Sequence, residues 1–347
     1  MWRRRALVLV GLIGSTSAVC GQTFSVDEVT SARSVDVARL KADTIAFSDQ
    51  TSPGAVASDT ALLRFDDWAQ TRPTEKKFLA LFPTYSEPTL DKPMKGKAGP
   101  DVQKLYIYVA QARFVIDRAP GAIDLARYVT PAFLEKIDPA IKHRVITAAD
   151  VVPFTDEAGM GNANPDRKWC TGRTTSTCIQ SIYKLEGKIP LGIMLVNKLR
   201  DSAKKIADDM DFQSELSALA PADIDQNGFQ ELTKLNTPIS GVLEQDIFYV
   251  NQIMKFGKFC AVFQNHPSDP NKTVVTAFMS LAIKANVLDE KREFEKMPVL
   301  RNLVPAQVLM GQSSFNSGGS ISAGLPKYAR NEIRTIAGIL QQDAPMK

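Results

Sequence analysis

Histidine is scarce in this chain of 347 residues, which contains only His143 and His266. The two lie far apart in sequence, one in a predicted helix and one in a predicted turn. Their positions indicate neither a histidine metal site nor a Ser-His-Asp triad, because both kinds of site need several converging side chains. We therefore interpret both as ordinary surface histidines. The sequence predicts no catalytic residue, no metal ligand and no cofactor.

Two small-residue strings near the C-terminus fall short of the motifs that they resemble. In Ser320-Ile-Ser322-Ala-Gly324, serine stands where a nucleophile elbow has its first glycine, and no histidine follows. This departure argues against a standard α/β-hydrolase. The wider loop Gly311–Gly324 has backbone amides that suit an anion, but it lacks the Gly-Lys-Ser/Thr ending of a phosphate-binding loop. We interpret it as a flexible connection that lets the last helix turn back over a sheet.

The string from Asp223 to Glu231 resembles a calcium loop in part. It offers oxygen ligands at alternate positions and has Gly228 in the sixth position. Its twelfth position is Lys234, where a calcium loop needs a bidentate acid, and a cation there opposes the metal. We interpret the string as a surface loop rich in Asx residues, and calcium binding there is left open.

No excess of basic residues marks the chain beyond its N-terminus. The formal net charge of +4 includes Arg3, Arg4 and Arg5, and residues 1–21 contain no acid. If these residues are removed, the remaining chain has a net charge near +1. Such a balance excludes the broad basic surface typical of nucleic-acid binding. No later segment is apolar enough to predict a transmembrane helix.

The first 21 residues have the form of a secretory signal peptide. Met1–Arg5 is basic, Ala6–Ile13 is a short apolar run, and Gly14–Gly21 is small and polar. The apolar run is too short to span a bilayer. We therefore predict export to the periplasm or the extracellular space. In an alternative reading Cys20 is the lipidated residue of a lipoprotein, so the cleavage site and the fate of Cys20 are left open.

Cysteine use agrees with export to an oxidising compartment. Cys170 and Cys178 are close in sequence, with a polar and turn-prone segment between them. We predict a disulfide between them, and the alternative is two free thiols that never meet. Cys260 lies in an apolar run and is predicted to be an inert buried thiol.

Composition divides the chain into two parts after the signal peptide. Residues 22–100 predict a loosely ordered N-terminal segment and linker, since residues 86–100 contain three prolines and two glycines. Residues 101–347 predict a single α+β domain. Helices are expected at Ser25–Phe47, at Pro139–Ala149 and, as a further turn, at Phe212–Leu219.

The C-terminal third gives the clearest secondary-structure signal. From Thr273 to Leu288, apolar residues alternate with polar ones, which predicts a strand with one buried and one partly solvated face. Shorter strand-like runs precede it at Gly241–Val250 and Lys258–Phe263. An amphipathic helix is predicted from Pro326, with its apolar stripe packed on the sheet. The expected fold class is α+β, an antiparallel sheet against a long C-terminal helix, and the alternative is a mostly α protein with a small sheet.

This order of elements resembles the START-like helix-grip fold. A strand at Cys178–Leu185, helices at Pro190–Leu219, strands at Gly241–Leu288 and a last helix entered through Gly-Leu-Pro make up the resemblance. It covers about residues 175–342. It implies an antiparallel sheet around a long C-terminal helix, with an apolar cavity between them. It implies no individual functional residue.

Three functional hypotheses follow from these patterns. The first is a non-enzymatic, exported binder of an apolar small molecule or lipid, with a ligand cavity lined by Met279, Leu281, Ile333 and Ile336. The second is a hydrolase of an unfamiliar class that uses carboxylates. The third is an envelope structural or interaction protein whose proline-rich first third binds a partner.

Overall fold

The computed structural model describes residues 24–30, 35–49, 63–64, 105–154, 167–172, 175–184, 209–251, 254–284 and 321–343. The predicted signal peptide, the linker at 86–100 and the helix expected from Pro190 lie outside these ranges. The strands are β1 (Val26–Thr30), β2 (Thr44–Asp49), β3 (Leu63–Arg64), β4 (Leu105–Ile116), β5 (Ile141–Val145), β6 (Ser176–Lys184), β7 (Asp209–Leu219), β8 (Ile239–Val250), β9 (Met254–Asn265) and β10 (Thr273–Lys284). The helices are α1 (Pro131–Ile137), α2 (Gln226–Thr233) and α3 (Ile321–Gln342).

All the described strands belong to one sheet, in the order β1-β2-β4-β10-β9-β8-β7-β6-β5, with β3 beside β4. From β5 to β10 each strand pairs antiparallel with the next along the chain. The last strand, β10, then pairs antiparallel with β4, so that Thr273 lies opposite Ile116. β2 extends the sheet beyond β4, and β1 runs parallel to β2. The predicted division of the chain at residue 101 stays a prediction.

The face of the sheet that carries α3 is called the helix face here. Ile333, Ala337 and Leu340 of α3 form one apolar cluster with Phe114 of β4 and Val275 of β10. Phe133 and Leu134 of α1 and the β2 side chains Ile45 and Phe47 belong to the same cluster. Burial of these side chains, at about 25 cal/mol per Å², holds the helices on the sheet. This confirms the predicted α+β class and the helix-grip arrangement.

The other side of the sheet, called the opposite face, is also covered. Phe229 and Leu232 of α2 pack with Val242, Val262 and Phe278 of the sheet. In β10, Val274 and Thr276 are fully buried, as is Val275 of the helix face. The prediction that one face of this strand is partly solvated was therefore wrong. The β10 sequence shows which residues alternate, but the covering helix comes from a distant part of the chain.

Three of the predicted helices are strands instead. Residues 25–47 hold β1, a short turn of 3₁₀ helix at Val37–Arg39 and most of β2. Residues 139–149 hold β5, and residues 212–219 belong to β7. In β7 the side chains of Met210, Phe212 and Leu216 alternate with polar ones, which is a period of two rather than 3.6. Pairing with neighbouring strands decides the form of these segments.

The structure changes two further expectations, both about where helices begin. The last helix begins at Ile321 and not at Pro326, so part of the predicted loop Gly311–Gly324 is helical and Ser322 lies in the first turn. The calcium-like string forms the start of α2. The carboxylate of Asp225 accepts a hydrogen bond from the backbone N–H of Gly228 at 3.1 Å and caps that helix. Asp223 lies in a turn of 3₁₀ helix just before it.

Arg113 of β4 ties three chain segments together on the opposite face. It is 2% exposed, and it donates hydrogen bonds to one hydroxyl and two backbone carbonyls. Its Nε donates to Thr276 Oγ1 at 3.1 Å, its Nη1 to the Val35 carbonyl at 2.6 Å, and its Nη2 to the Thr233 carbonyl at the end of α2. Burial lowers the pKa of Arg113 to about 10. The guanidinium thereby satisfies backbone carbonyls that would otherwise lack donors.

Cys170 and Cys178 form the predicted disulfide. It links the segment that contains Trp169 to β6, near the start of that strand. The Trp169 ring stacks on Phe248 with centroids 4.4 Å apart, and the Arg167 guanidinium lies 4.5 Å from the Trp169 ring centroid. This segment covers part of the opposite face. Cys260 is a free, buried thiol, as predicted.

The substitution Arg113→Met is expected to lower the free energy of unfolding by about 3 kcal/mol, because a buried carbonyl, a part-buried carbonyl and a buried hydroxyl lose a charged donor. Urea unfolding measures this loss. Amide hydrogen exchange at the end of α2 is expected to accelerate as well. Arg127→Met, at an exposed arginine, is the matched control and is expected to change stability by less than about 0.5 kcal/mol. Equal stability of the two variants would contradict the role of Arg113.

The double substitution Cys170→Ser with Cys178→Ser is expected to lower the free energy of unfolding by about 2.5 kcal/mol. This value follows from the chain entropy of a loop with a sequence separation of 8. A reductant should destabilise the unaltered protein by a similar amount and leave the double variant unchanged. A reductant effect that persists in the double variant would show that another group is responsible.

Candidate functional site

The predicted ligand residues fall at two places on the helix face. Ile333 and Ile336 of α3 pack in the cluster that includes Val275 and Ala277 of β10. Met279 and Leu281 follow Val275 and Ala277 at alternate positions, so they lie on the same face, farther along β10. They are 1% and 2% exposed. The structure thus places all four on one side of the sheet, and their common role in a ligand cavity stays a prediction.

The apolar surface of the sheet on the helix face is called the floor here. A glycine shapes this floor beside Leu281. Gly257 of β9 lies opposite Leu281 in the sheet. A Cβ atom at this glycine would come within 3.1 Å of Leu281 Cδ2 and within 3.1 Å of Ile247 Cδ1. The absence of a side chain therefore lets two larger side chains approach each other over the backbone of β9.

Two apolar clusters extend the floor of the helix face from β9 towards β5. The inner cluster consists of Val129, Ile179, Leu216 and Ala218, with Leu125, Leu134 and Leu243 packed against it. The outer cluster consists of Phe212, Ile247 and Val250, with Ile141, Met210, Met254 and Phe259 packed against it. Leu125, Leu134 and Leu243 also contact the α3 cluster, which places the inner cluster beneath α1 and near α3. The outer cluster includes no described residue of α3.

A row of polar side chains runs between the two clusters. We call it the polar row: His143 on β5, Ser181 on β6, Ser214 on β7 and Gln245 on β8. Along its strand, each member lies two residues from a side chain of the inner or the outer cluster. Side chains two residues apart point to the same face of a sheet, so the row lies on the helix face. Ser214, for example, stands between Phe212 of the outer and Leu216 of the inner cluster. Four consecutive strands therefore interrupt their apolar face at neighbouring positions.

The members of the polar row are hydrogen-bonded in pairs. His143 Nδ1 lies 2.8 Å from Ser181 Oγ, and these residues are direct partners in the sheet. Gln245 Nε2 donates to Ser214 Oγ at 3.0 Å. Both serines are 0% exposed. Since a buried hydroxyl without a partner is costly, these pairs are a condition for placing polar groups on this face.

The second ring nitrogen of His143 has no such partner. Nε2 is buried and forms no hydrogen bond with any described residue. Burial lowers the pKa of His143, and the nearby carboxylates of Glu135 and Asp138 act in the other direction. The imidazole is thus favoured in its neutral form. Sequence reasoning treated His143 as a surface histidine in a helix, and recognising β5 as a strand would have placed it inward.

The opposite face carries a separate group of charged side chains. Lys258 Nζ lies 2.8 Å from Asp246 Oδ1, and Arg167 Nη2 lies 3.2 Å from Glu215 Oε2. Burial, followed by the charge of Asp246, raises the pKa of Glu244 beside them. Burial also raises the pKa of the Cys260 thiol. This group lies under the disulfide segment and points away from α3, so it belongs to the packing of the opposite face.

Glu332 is an acidic residue on α3 near α1. Burial, followed by the charge of Asp138, raises the pKa of Glu332 to about 8. The carboxyl group is therefore mostly protonated near neutral pH. The charges of Glu135 and Asp138 give the α1 side of the helix face a potential that disfavours anions.

The described residues contain no group of three or more histidine, cysteine or acidic side chains that could hold a metal ion. Among the helices in the described ranges, none is long and apolar enough to cross a membrane. Ser181 is fully buried, and no carboxylate in the described ranges bonds to the far nitrogen of His143. The contact between the two therefore lacks the exposure and the third member of a nucleophilic triad.

No protein-family model and no curated protein matches the chain. Among solved structures, it is similar to an aromatase/cyclase from a Streptomyces species, with 8% identity, a TM-score of 0.32, and coverage of 67% of this chain and 92% of that chain. Norcoclaurine synthase from Thalictrum flavum shows 10% identity and a TM-score of 0.29, with coverage of 73% and 98%. A STAR-related lipid transfer protein from Xanthomonas axonopodis shows 8% identity and a TM-score of 0.27, with coverage of 69% and 97%. Since these TM-scores are low, the helix-grip arrangement rests on the strand order and on the position of α3.

Stability is expected to fall as the pH rises from about 4.5 to about 8, because of Glu332. The folded protein binds this proton up to a pH of about 8, whereas the unfolded chain releases it near the ordinary value of 4.5. The stabilisation is therefore complete below the unfolded value and is lost towards the folded one. Partial solvent exposure limits the effect to about 2 kcal/mol.

Urea unfolding at several pH values checks this dependence. Glu332→Gln should flatten the decline and should make the protein more stable than the unaltered chain near pH 9. Glu28→Gln, at an exposed glutamate of β1, is the control and should leave the slope in place. An unchanged slope in Glu332→Gln would assign the pH dependence to other groups.

Proposed function

We propose that this protein is an exported, non-enzymatic binder of an apolar small molecule or lipid, held between the helix face of the sheet and α3. The observation that carries the proposal is the extent of the apolar floor. The inner and outer clusters, together with Met279 and Leu281, continue it from β10 to β5.

The dimensions of the elements support this interpretation. The seven strands from β4 to β5 have six spacings of about 4.8 Å, which gives a sheet about 29 Å wide. An α-helix with its side chains is only about 10 Å across. The C-terminal half of α3 contacts β4 and β2 at one side of this width. A floor that is wider than its helix and apolar beyond it suits an apolar guest.

The expected affinity follows from the buried area of such a guest. About ten methylene groups, each contributing about 0.8 kcal/mol, provide about 8 kcal/mol before the costs of association. Dissociation constants near the micromolar range are therefore expected for single-chain lipids. The disulfide between Cys170 and Cys178 supports the proposed export, because such bonds persist in oxidising compartments.

The substitution Met279→Trp is expected to weaken binding of a fluorescent fatty-acyl probe at least tenfold, since the larger ring occupies space above the floor. Phe278→Trp is the matched control, because it changes the neighbouring residue of the same strand on the opposite face. It should cost comparable stability and leave probe affinity within about twofold. Probe titration by fluorescence and thermal unfolding of both variants provide the two readouts.

Native mass spectrometry of protein purified from the periplasm tests the same proposal without a substitution. A co-purified lipid that is released on unfolding is the expected result. Failure of the unaltered protein to bind any acyl probe, or equal weakening by both tryptophan variants, would contradict a ligand site on the helix face.

A further inference from the structure

Resting on the proposed apolar-ligand function, we propose that the polar row selects a neutral ligand with a hydroxyl group part-way along its apolar body, and that His143 Nε2 bonds to this hydroxyl. The row lies between two apolar clusters, so a guest that covers both clusters must cross it. A guest that is apolar throughout would leave the enclosed nitrogen without a partner. A guest with a hydroxyl group at this position gains a hydrogen bond that an apolar guest cannot form.

The hydrogen bonds already present define what the row can accept. His143 Nδ1 is engaged by Ser181 Oγ, which leaves Nε2 as the position without a partner among the described residues. The role of Nε2 as donor or acceptor depends on the tautomer. A hydroxyl group can donate or accept, so it satisfies Nε2 in either tautomer, whereas a carbonyl satisfies only one.

The second pair in the row has the same preference. Gln245 Nε2 donates to Ser214 Oγ, so the Ser214 hydroxyl keeps its own proton for donation. The row therefore offers hydroxyl and imidazole groups and no full charge. Selection by such groups is strong, because a site built around hydrogen bonds rejects an analogue that leaves them unmade.

The surrounding charges decide against an anionic ligand. The carboxylates of Glu135 and Asp138 act on His143 more strongly than the ammonium of Lys142 does, and Asp138 also acts on Glu332 of α3. Lys258 and Arg167 are engaged in ion pairs on the opposite face. A carboxylate in the row would therefore be repelled by the acidic side chains near α1. A neutral oxygen group avoids this repulsion.

The test compares three probes that share one chain length. They are a fatty-acid methyl ester, the same ester with a mid-chain hydroxyl, and the unsubstituted free fatty acid, each presented in cyclodextrin. The hydroxylated ester is expected to bind about fivefold to tenfold more tightly than the plain ester. This preference should fall to about one in His143→Phe and persist in the matched control His266→Phe, which alters the histidine outside the site.

A second measurement leaves the site intact. Because the chain has two histidines, His266→Phe leaves His143 as the single imidazole in the nuclear magnetic resonance spectrum. Its Nε2 nitrogen resonance is expected to shift when the hydroxylated ester is added and to stay in place with the plain ester. This readout holds even if His143→Phe fails to fold.

The outcomes separate the inference from the proposed function. If all three probes bind equally, or if the free acid binds best, the hydroxyl selection is wrong and the apolar-ligand function stands. A hydroxyl preference without a shift of the His143 resonance would also overturn the role of this residue. If no probe binds, the proposed function fails and the inference fails with it.

Discussion

The structure depends on the burial of β10 from both faces. Its backbone pairs with β4 on one side and with β9 on the other, so it connects β4 to the antiparallel strands that follow from β9 to β5. Its side chains point alternately to α3 and to α2. A strand with no solvated face consists mainly of apolar side chains, and the buried Thr276 hydroxyl is hydrogen-bonded to Arg113. The two layers on the sheet are thereby fixed to one central strand.

The buried polar side chains on the two faces of the sheet differ in character. On the opposite face, the ion pair of Arg167 with Glu215 and the multiple bonds of Arg113 connect covering segments to the sheet. On the helix face, the polar row contains no full charge, and its two hydrogen-bonded pairs each join neighbouring strands. The contrast is consistent with the proposed neutral guest, which would gain nothing from ions that must be paired. The helix face is accordingly the place where ligand chemistry is expected.

Much of the architecture could be predicted from the sequence, and the predictions that failed did so for specific reasons. The strands β4, β6, β8, β9 and β10 have enough β-branched and aromatic residues to be recognised, and the predicted disulfide is present. β5 and β7 were mistaken for helix because their inward positions include histidine and serine, which interrupt the apolar alternation. Those same polar residues form the polar row. The feature that obscured the strands is therefore the one that gives the site its chemical character.

The sequence by itself determined the alternation of β10, the apolar stripe of the last helix and the pairing of two nearby cysteines. These features depend on residues that are neighbours in the chain, so local periodicity and spacing are sufficient to reveal them. Only the tertiary structure decided that both faces of the sheet are covered and that His143 meets Ser181, 38 residues away. Such contacts arise from the register between strands and from which segment packs on which face. Alternation defines two faces, and long-range packing alone determines what each of them touches.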